Sequence, residues 1–330
     1  MRRFRAPGLL AAVFLLTALS CASCGGSKWS SYELGKQSSF SLTGVSACAE
    51  GRVWVVGNPG VAFRRDGRWF IRTYPGARCS LLDVFALDPD RVWAVGDGGN
   101  AMFYGGNSWS GLQLDPPLRL AAVSGCDASH VWAVGDGGTV QKYDGLSWVR
   151  QESGVTWNLS AVSALDPDHV WAVGSGGIIF FDGERWSLQW EKPGNPVFAE
   201  FSGVSALDPT HAWAVASSRG EDWKPVSRIL FFDGVGWKEE LAERGEVLRA
   251  VSVAPDGFAA AVGDQAIWQN YGSGWKKYEG SSSEWRLVDV SCVSGRDAWA
   301  VGYTSVGTLY APLVLRYDGV RWVEVELPGD

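Results

Sequence analysis

Tryptophan is the residue through which this 330-residue chain is best equipped to bind something: there are 19. Five of them, Trp157, Trp190, Trp223, Trp268 and Trp285, stand outside any repeated phrase. An indole is a large rigid apolar plate with one polar N–H, which suits it to stack on sugar rings or to anchor a protein partner. Around Trp223 lie Arg219, Glu221, Asp222 and Lys224, so that segment sets charge of both signs beside an aromatic plate. The candidate ligand-binding residues are therefore Trp157, Trp190, Trp223, Trp285, Arg219, Glu221 and Asp222. The competing expectation is that these indoles only cap packing at the bases of loops.

Reactive side chains offer less. His130, His169 and His211 each fall two residues before a recurring Trp, where Arg52 and Arg91 stand in other copies, which marks a solvent-facing structural position. Cys48, Cys79, Cys126 and Cys292 form no CxxC and stand apart from the histidines in the repeat pattern, so no metal site is expected. Asp97, Asp136 and Asp264 could offer oxygen to Ca²⁺, but Asn58 and Ser175 occupy comparable positions and a turn role is favoured. No GxSxG, HExxH or phosphate-binding glycine loop occurs. No catalytic residue and no cofactor are assigned, and the balance leans away from an enzyme.

What positions these residues is a repeat. Val131-Trp132-Ala133-Val134-Gly135 recurs around Trp54, Trp93, Trp171, Trp213 and Trp299, and in degenerate form around Ala260, at spacings of 39, 39, 39, 42, 47 and 39 residues. A second phrase ends in Trp69, Trp109, Trp148, Trp186, Trp237, Trp275 and Trp322. A third, weaker one precedes each copy, as in Leu159-Ser160-Ala161-Val162-Ser163. Each unit thus holds four short apolar runs, A to D. Asp-Pro turns such as Asp166-Pro167-Asp168 separate A from B, and Asp-Gly pairs separate B from C and C from D. Seven four-stranded antiparallel meanders make an all-β, seven-bladed propeller the expected fold. The 42 Gly suit those turns, and a hydrophobic fraction of 46% excludes a disordered or collagen-like chain.

In such a meander the A–B and C–D turns share one face, and the B–C and D–A loops the other. The B-to-D tryptophan interval is 15 or 16 residues in most units but 24 from Trp213 to Trp237 and 23 from Trp299 to Trp322. The extra residues fall in B–C loops, at 217–224 and 303–308. Four of the five unplaced tryptophans map to that face.

The phrases Val-Gly-x-x-Gly and Gly-x-x-Trp after an Asp, as in Asp182-Gly183-Glu184-Arg185-Trp186, resemble Asp-box or BNR-type repeats and photosystem II assembly-factor-like propellers over nearly the whole chain beyond its first residues. The resemblance implies a propeller, and Asp-box proteins include sialidases. The Arg-Ile-Pro motif of those enzymes is absent here.

Met1 to Ser20 reads as an export signal, with Arg2, Arg3 and Arg5 before the apolar Leu9–Leu19. Ala18-Leu19-Ser20-Cys21-Ala22-Ser23-Cys24 resembles the lipobox of bacterial lipoproteins, with Cys21 or Cys24 as the lipidated residue; plain secretion is the alternative. Without residues 1–20 the chain keeps 26 Lys and Arg against 36 Asp and Glu, a net charge of −10, which disfavours nucleic acid. Export permits disulfides, and the four body cysteines allow three pairings. The expected organisation is signal 1–20, linker 21–27 and propeller 28–330. A D-like run at Lys28–Glu33, with Trp29, would join or edge the last blade. The leading expectation is a monomeric, non-catalytic binding or scaffold propeller at the bacterial cell envelope. It would be an outer-membrane lipoprotein facing periplasm or cell surface, touching the membrane only through its lipid and taking a protein partner. A carbohydrate-binding, lectin-like propeller is the alternative, followed by a degenerate glycoside hydrolase.

Overall fold

The computed structural model describes residues 41–58, 60–73, 80–191, 200–220, 222–306 and 309–327. Its 28 strands sort into seven antiparallel meanders: β1–β4 over 41–73, β5–β8 over 81–113, β9–β12 over 120–151, β13–β16 over 159–191, β17–β20 over 200–244, β21–β24 over 247–277 and β25–β28 over 285–324. Each meander is ordered A-B-C-D, and the last two are joined into one eight-stranded sheet through a single pair, Asp264 with Arg286. The seven A strands pack side by side in a closed ring, with β1 (Ser41–Ala49) against both β5 (Leu81–Asp88) and β25 (Trp285–Ser294). The fold is the expected all-β propeller of four-stranded blades.

The recurring phrase has a physical reason at each place. Its Val-Trp-Ala-Val run is strand B, buried on both faces in the described blades because neighbours cover each side. The closing Gly lies where the entering backbone of strand A passes: a Cβ on Gly135 would sit 1.9 Å from the Arg119 carbonyl oxygen, and one on Gly57 2.0 Å from that of Ser41. In the B–C turns the positive φ falls one residue later than an Asp-Gly pair implies. Gly98 and Gly99 take it at φ 67° and 74°, and Gly137 and Gly138 at 62° and 72°, while Asp97 and Asp136 open short 3₁₀ turns.

Two belts bind blade to blade. On strand A, Ser46, Ser124, Ser163, Ser205, Ser252 and Ser291 each accept the backbone N–H of the next blade, as Ser163 Oγ does from Ala206 at 3.1 Å. Further out, the B-strand indole of one blade packs on the D-strand indole of the next. Gln151 Oε1 accepts from both Trp132 (3.1 Å) and Trp186 (3.0 Å). Gln189 does the same for Trp171 and Trp237, and Glu240 for Trp213 and Trp275. Where Ala260 replaces the indole, the space holds Phe258 stacked on Tyr317 at 5.4 Å, beside Tyr271 and Trp322.

The ring closes without an added strand among the described residues. The seventh blade has its own D strand, β28 (Trp322–Glu324), and is tied to the first by Asp289 to the Val45 N–H (2.7 Å), Ser291 to Ala47, and Asp297 to Gly51. Trp69 meets Trp299 edge-on at 6.5 Å. The run around Trp29 lies outside the described residues, as do Cys21, Cys24 and Cys79. Cys48, Cys126 and Cys292 are free thiols, so no disulfide joins any two of them.

Candidate binding face and central channel

Blades five and seven differ from the rest on one face. Strands β18 (His211–Arg219) and β19 (Pro225–Phe232) keep pairing out to Arg219 with Pro225, and β26 (Asp297–Val306) with β27 (Leu309–Tyr317) to Val306 with Leu309. Two hairpins therefore stand above a blade-six turn that is only Asp264-Gln265-Ala266, with Gln265 at φ 63°. The long B–C insertions read in the sequence are these hairpins.

At the tip of the first, the Gly220 N–H donates to the Lys224 carbonyl at 2.7 Å, and the Lys224 N–H to Asp222 Oδ1 at 3.2 Å. That turn holds Trp223 at φ 63° and leaves it 78% exposed, with the Arg219 guanidinium 5.8 Å over its ring. On the second hairpin Tyr310, 70% exposed, meets Tyr303 edge-on at 5.2 Å. Glu221 lies outside the described residues.

The other candidate indoles sit differently. Trp157 is half-buried with its ring on Gly176, where a Cβ would meet Nε1 at 2.3 Å. Half-buried Trp190 stands edge-on to Phe201 at 5.0 Å. Trp285 is 8% exposed and donates to Glu324 at 3.3 Å, and Trp268, equally covered, donates to Glu246 at 3.0 Å. The structure brings Trp223, Arg219 and Asp222 into one knob and packs the other three candidates elsewhere, Trp157 on Gly176, Trp190 on Phe201 of the next blade and Trp285 toward Glu324 of β28. The B–C turn acids meet arginines: Arg119 is 3.7 Å from both Asp97 and Asp136, and Arg249 is bidentate on Asp264 at 3.0 Å.

Arg119 and Arg249 stand among the residues lining a central channel of about 420 Å³ enclosed by the A strands. Asp83 and Asp289 also line it, one on each side of the first blade, at a strand position where the other units carry Gly44, Ala122, Ala161, Gly203 and Ala250. All four carboxylate oxygens accept backbone N–H: Asp83 from Val84 (2.8 Å) and Val123 (2.8 Å), Asp289 from Val290 (2.8 Å) and Val45 (2.7 Å). Burial raises Asp83 from 3.8 to about 6 against the pull of those N–H groups, and burial together with the charge of Asp83 raises Asp289 well above the usual carboxylate range. Two acids from different blades thus converge, but as ties between strands. Sequence reading missed them; the available signal was an acid where the other units have Gly or Ala.

On the opposite face each histidine is bound by the acid three residues before it: His130 Nδ1 to Asp127 at 2.9 Å, His169 to Asp166 at 2.9 Å and His211 to Asp208 at 2.8 Å. One expectation is corrected here. Histidine and cysteine are not apart in the repeat, because the hairpin of β9 (Leu120–Asp127) and β10 (His130–Gly135) brings Cys126, Asp127 and His130 together, with donor atoms within 4.8 Å of one another.

No protein-family model and no curated protein matches this sequence. Among solved structures the chain is similar to YCF48 bound to D1 peptide, at 17% identity and TM-score 0.61 over 88% of this chain and 96% of that one. It is similar to YCF48 from Cyanidioschyzon merolae at 16% and 0.62, over 88% and 99%. The WD40 β-propeller domain of Doa1 follows at 13% and 0.63, over 86% and 97%. The fold and these likenesses define the class, a β-propeller, and at such identities they define the fold alone.

Proposed function

We propose that this chain is an exported, lipid-anchored propeller of the bacterial envelope that binds a protein partner on the face carrying the two long hairpins. The observation that carries the reading is Trp223, an indole held in the open by a left-handed backbone position with a guanidinium over it. Exposing an indole forgoes about 2–3 kcal/mol of burial, and aromatic–arginine pairs are the residues on which interfaces concentrate binding energy. A relative in fold, YCF48, is known bound to a peptide, which supports a protein ligand over a glycan. Kinship with Asp-box propellers, and lipidation at Cys21 or Cys24 with outer-membrane location, belong to the same reading.

Affinity capture from envelope extract with the full chain, beside Trp223→Ala and Arg219→Ala, tests it. Trp223→Ala is expected to lose the captured protein with about a 30-fold fall in affinity while the thermal midpoint stays put. Equal capture by wild type and Trp223→Ala would refute the site. Binding in a glycan array that Trp223→Ala abolishes would move the reading to the lectin class. Fractionation of Cys21→Ser and Cys24→Ser variants checks the anchor: one of them should release the chain from the membrane.

A further inference from the structure

The seven A–B hairpins are near-copies, so each residue that departs from the pattern has controls in the same molecule. In blades four and five the turn acid and histidine form the same pair, Asp166 with His169 and Asp208 with His211, and the residue just before the acid is Leu165 or Leu207. In blade one the equivalent residue is Cys48, but Ala49 and Arg52 replace the acid and the histidine. Only blade three combines thiol, carboxylate and imidazole. Among the described residues no other group of three His, Cys, Asp or Glu lies close enough to share an ion.

From this we propose that Cys126, Asp127 and His130 form a surface site for a single borderline-soft divalent transition ion of the Zn²⁺ class, with its fourth position open to water or to a donor from a partner.

The donor set is one sulfur, one nitrogen and one oxygen, the mixture that Zn²⁺ accepts in tetrahedral geometry and that Mg²⁺ and Ca²⁺ do not. Zinc bonds of about 2.0–2.3 Å set donor separations near 3.3–3.8 Å. His130 Nδ1 and Asp127 Oδ2 stand 2.9 Å apart as a hydrogen-bonded pair, and the Cys126 sulfur lies within 4.8 Å of the donor atoms of both, so small side-chain shifts bring the three to those separations. All three side chains are half-exposed, so an ion reaches them from solvent.

Asp127 is further held by Ser129, whose N–H and Oγ–H donate to Oδ1 at 2.7 and 2.9 Å. Oδ2 has His130 Nδ1 as its partner and turns to the metal once the Nδ1 proton leaves, and an outer partner such as Ser129 orients a ligand. The charge balance closes. Cys126 gives its thiol proton to solvent, the Nδ1 proton of the neutral imidazole moves to Nε2, and thiolate plus carboxylate neutralise the dication.

Titration of the purified full chain with Co²⁺, followed by Zn²⁺ displacement, reads the site through the thiolate-to-cobalt charge-transfer absorption. Wild type should show a one-equivalent band that Zn²⁺ removes. Cys126→Leu, which copies the residue of blades four and five and so should fold as they do, and His130→Gln should each abolish it, whereas Cys48→Ser should leave it intact. Ser129→Ala should weaken Co²⁺ affinity about 10-fold. Leu165→Cys should create a second equivalent beside Asp166 and His169. Absence of the band in folded wild type, or a band that survives Cys126→Leu, would overturn the proposal.

Discussion

Replacing Asp83 by Ala should destabilise the chain at low pH and progressively less toward neutral pH, whereas an ordinary core truncation carries a cost that is flat with pH. The carboxyl titrates near 6 in the folded chain and at 3.8 when free of it. A carboxyl whose folded-state pKa lies above its unfolded one favours folding while protonated. Its contribution is full below 3.8 and is lost as pH rises through about 6. That interval corresponds to a ceiling of about 3 kcal/mol. Asp83 is only half-buried and faces the channel, which raises the effective dielectric, and about 2 kcal/mol is expected. At about pH 4 the variant should be the less stable protein, because the N–H groups of Val84 and Val123 lose their acceptor, a cost of about 1–3 kcal/mol. By about pH 8 the penalty should shrink by about 2 kcal/mol. Asp289 adds to this in the same sense, since removing its neighbour's charge lets its own pKa fall. Urea denaturation of wild type and variant at each pH measures the difference, in which the other carboxylates cancel. A penalty that is flat with pH, or grows as pH rises, would refute the reasoning. So would a strictly additive Asp83→Ala/Asp289→Ala double-mutant cycle.

The indole belt gives a second test. Gln151→Leu strips the acceptor from Trp132 and Trp186 together and should cost about 2 kcal/mol in urea denaturation. Leu112→Gln, at the equivalent position one blade earlier, should gain about 1 kcal/mol, because Trp93 Nε1 is buried there without a partner among the described residues. Gly135→Ala drives a Cβ to 1.9 Å from the Arg119 carbonyl oxygen and should cost about 1–3 kcal/mol. The fifth blade has Ala216 at that position with its hairpin prolonged, so Ala216→Gly should cost only about 0.5–1 kcal/mol there. Thermal unfolding of both variants decides whether the glycine is kept for close approach or for turn freedom.

The architecture was legible because it is periodic. A strand sandwiched between blades must be apolar on both faces, a two-residue turn must supply positive φ, and seven repetitions of both leave little choice of fold. The departures from that reading are local and have local causes. The turn glycines shifted by one residue because a Gly-Gly pair follows the Asp, so the residue next to the acid need not complete the turn alone. The tryptophan bridge at Gln151, Gln189 and Glu240 was written in the sequence as a Gln or Glu three positions beyond the D-strand Trp of blades three, four and five. Its meaning depends on an indole in the next blade, some 35 to 48 residues away.

Sites were less legible for the same reason, since a propeller assembles them across blades. Asp83 and Asp289 converge from residues 206 positions apart, and no linear spacing announces that. The unplaced tryptophans were visible by subtraction, but subtraction does not say which way a ring faces. Trp285 reaches Glu324 and is covered, while Trp223 rides on a hairpin tip whose own hydrogen bonds turn it outward. The Cys126–Asp127–His130 group is the inverse case. Its members are sequence neighbours, and comparison with Leu165 and Leu207 could have singled it out from the sequence. The repetition hides it, because a histidine that recurs at one position suggests one role for every copy. In a repeat fold each unit has to be compared with its siblings residue by residue, since the scaffold explains what recurs and leaves chemistry to the few places where one blade differs.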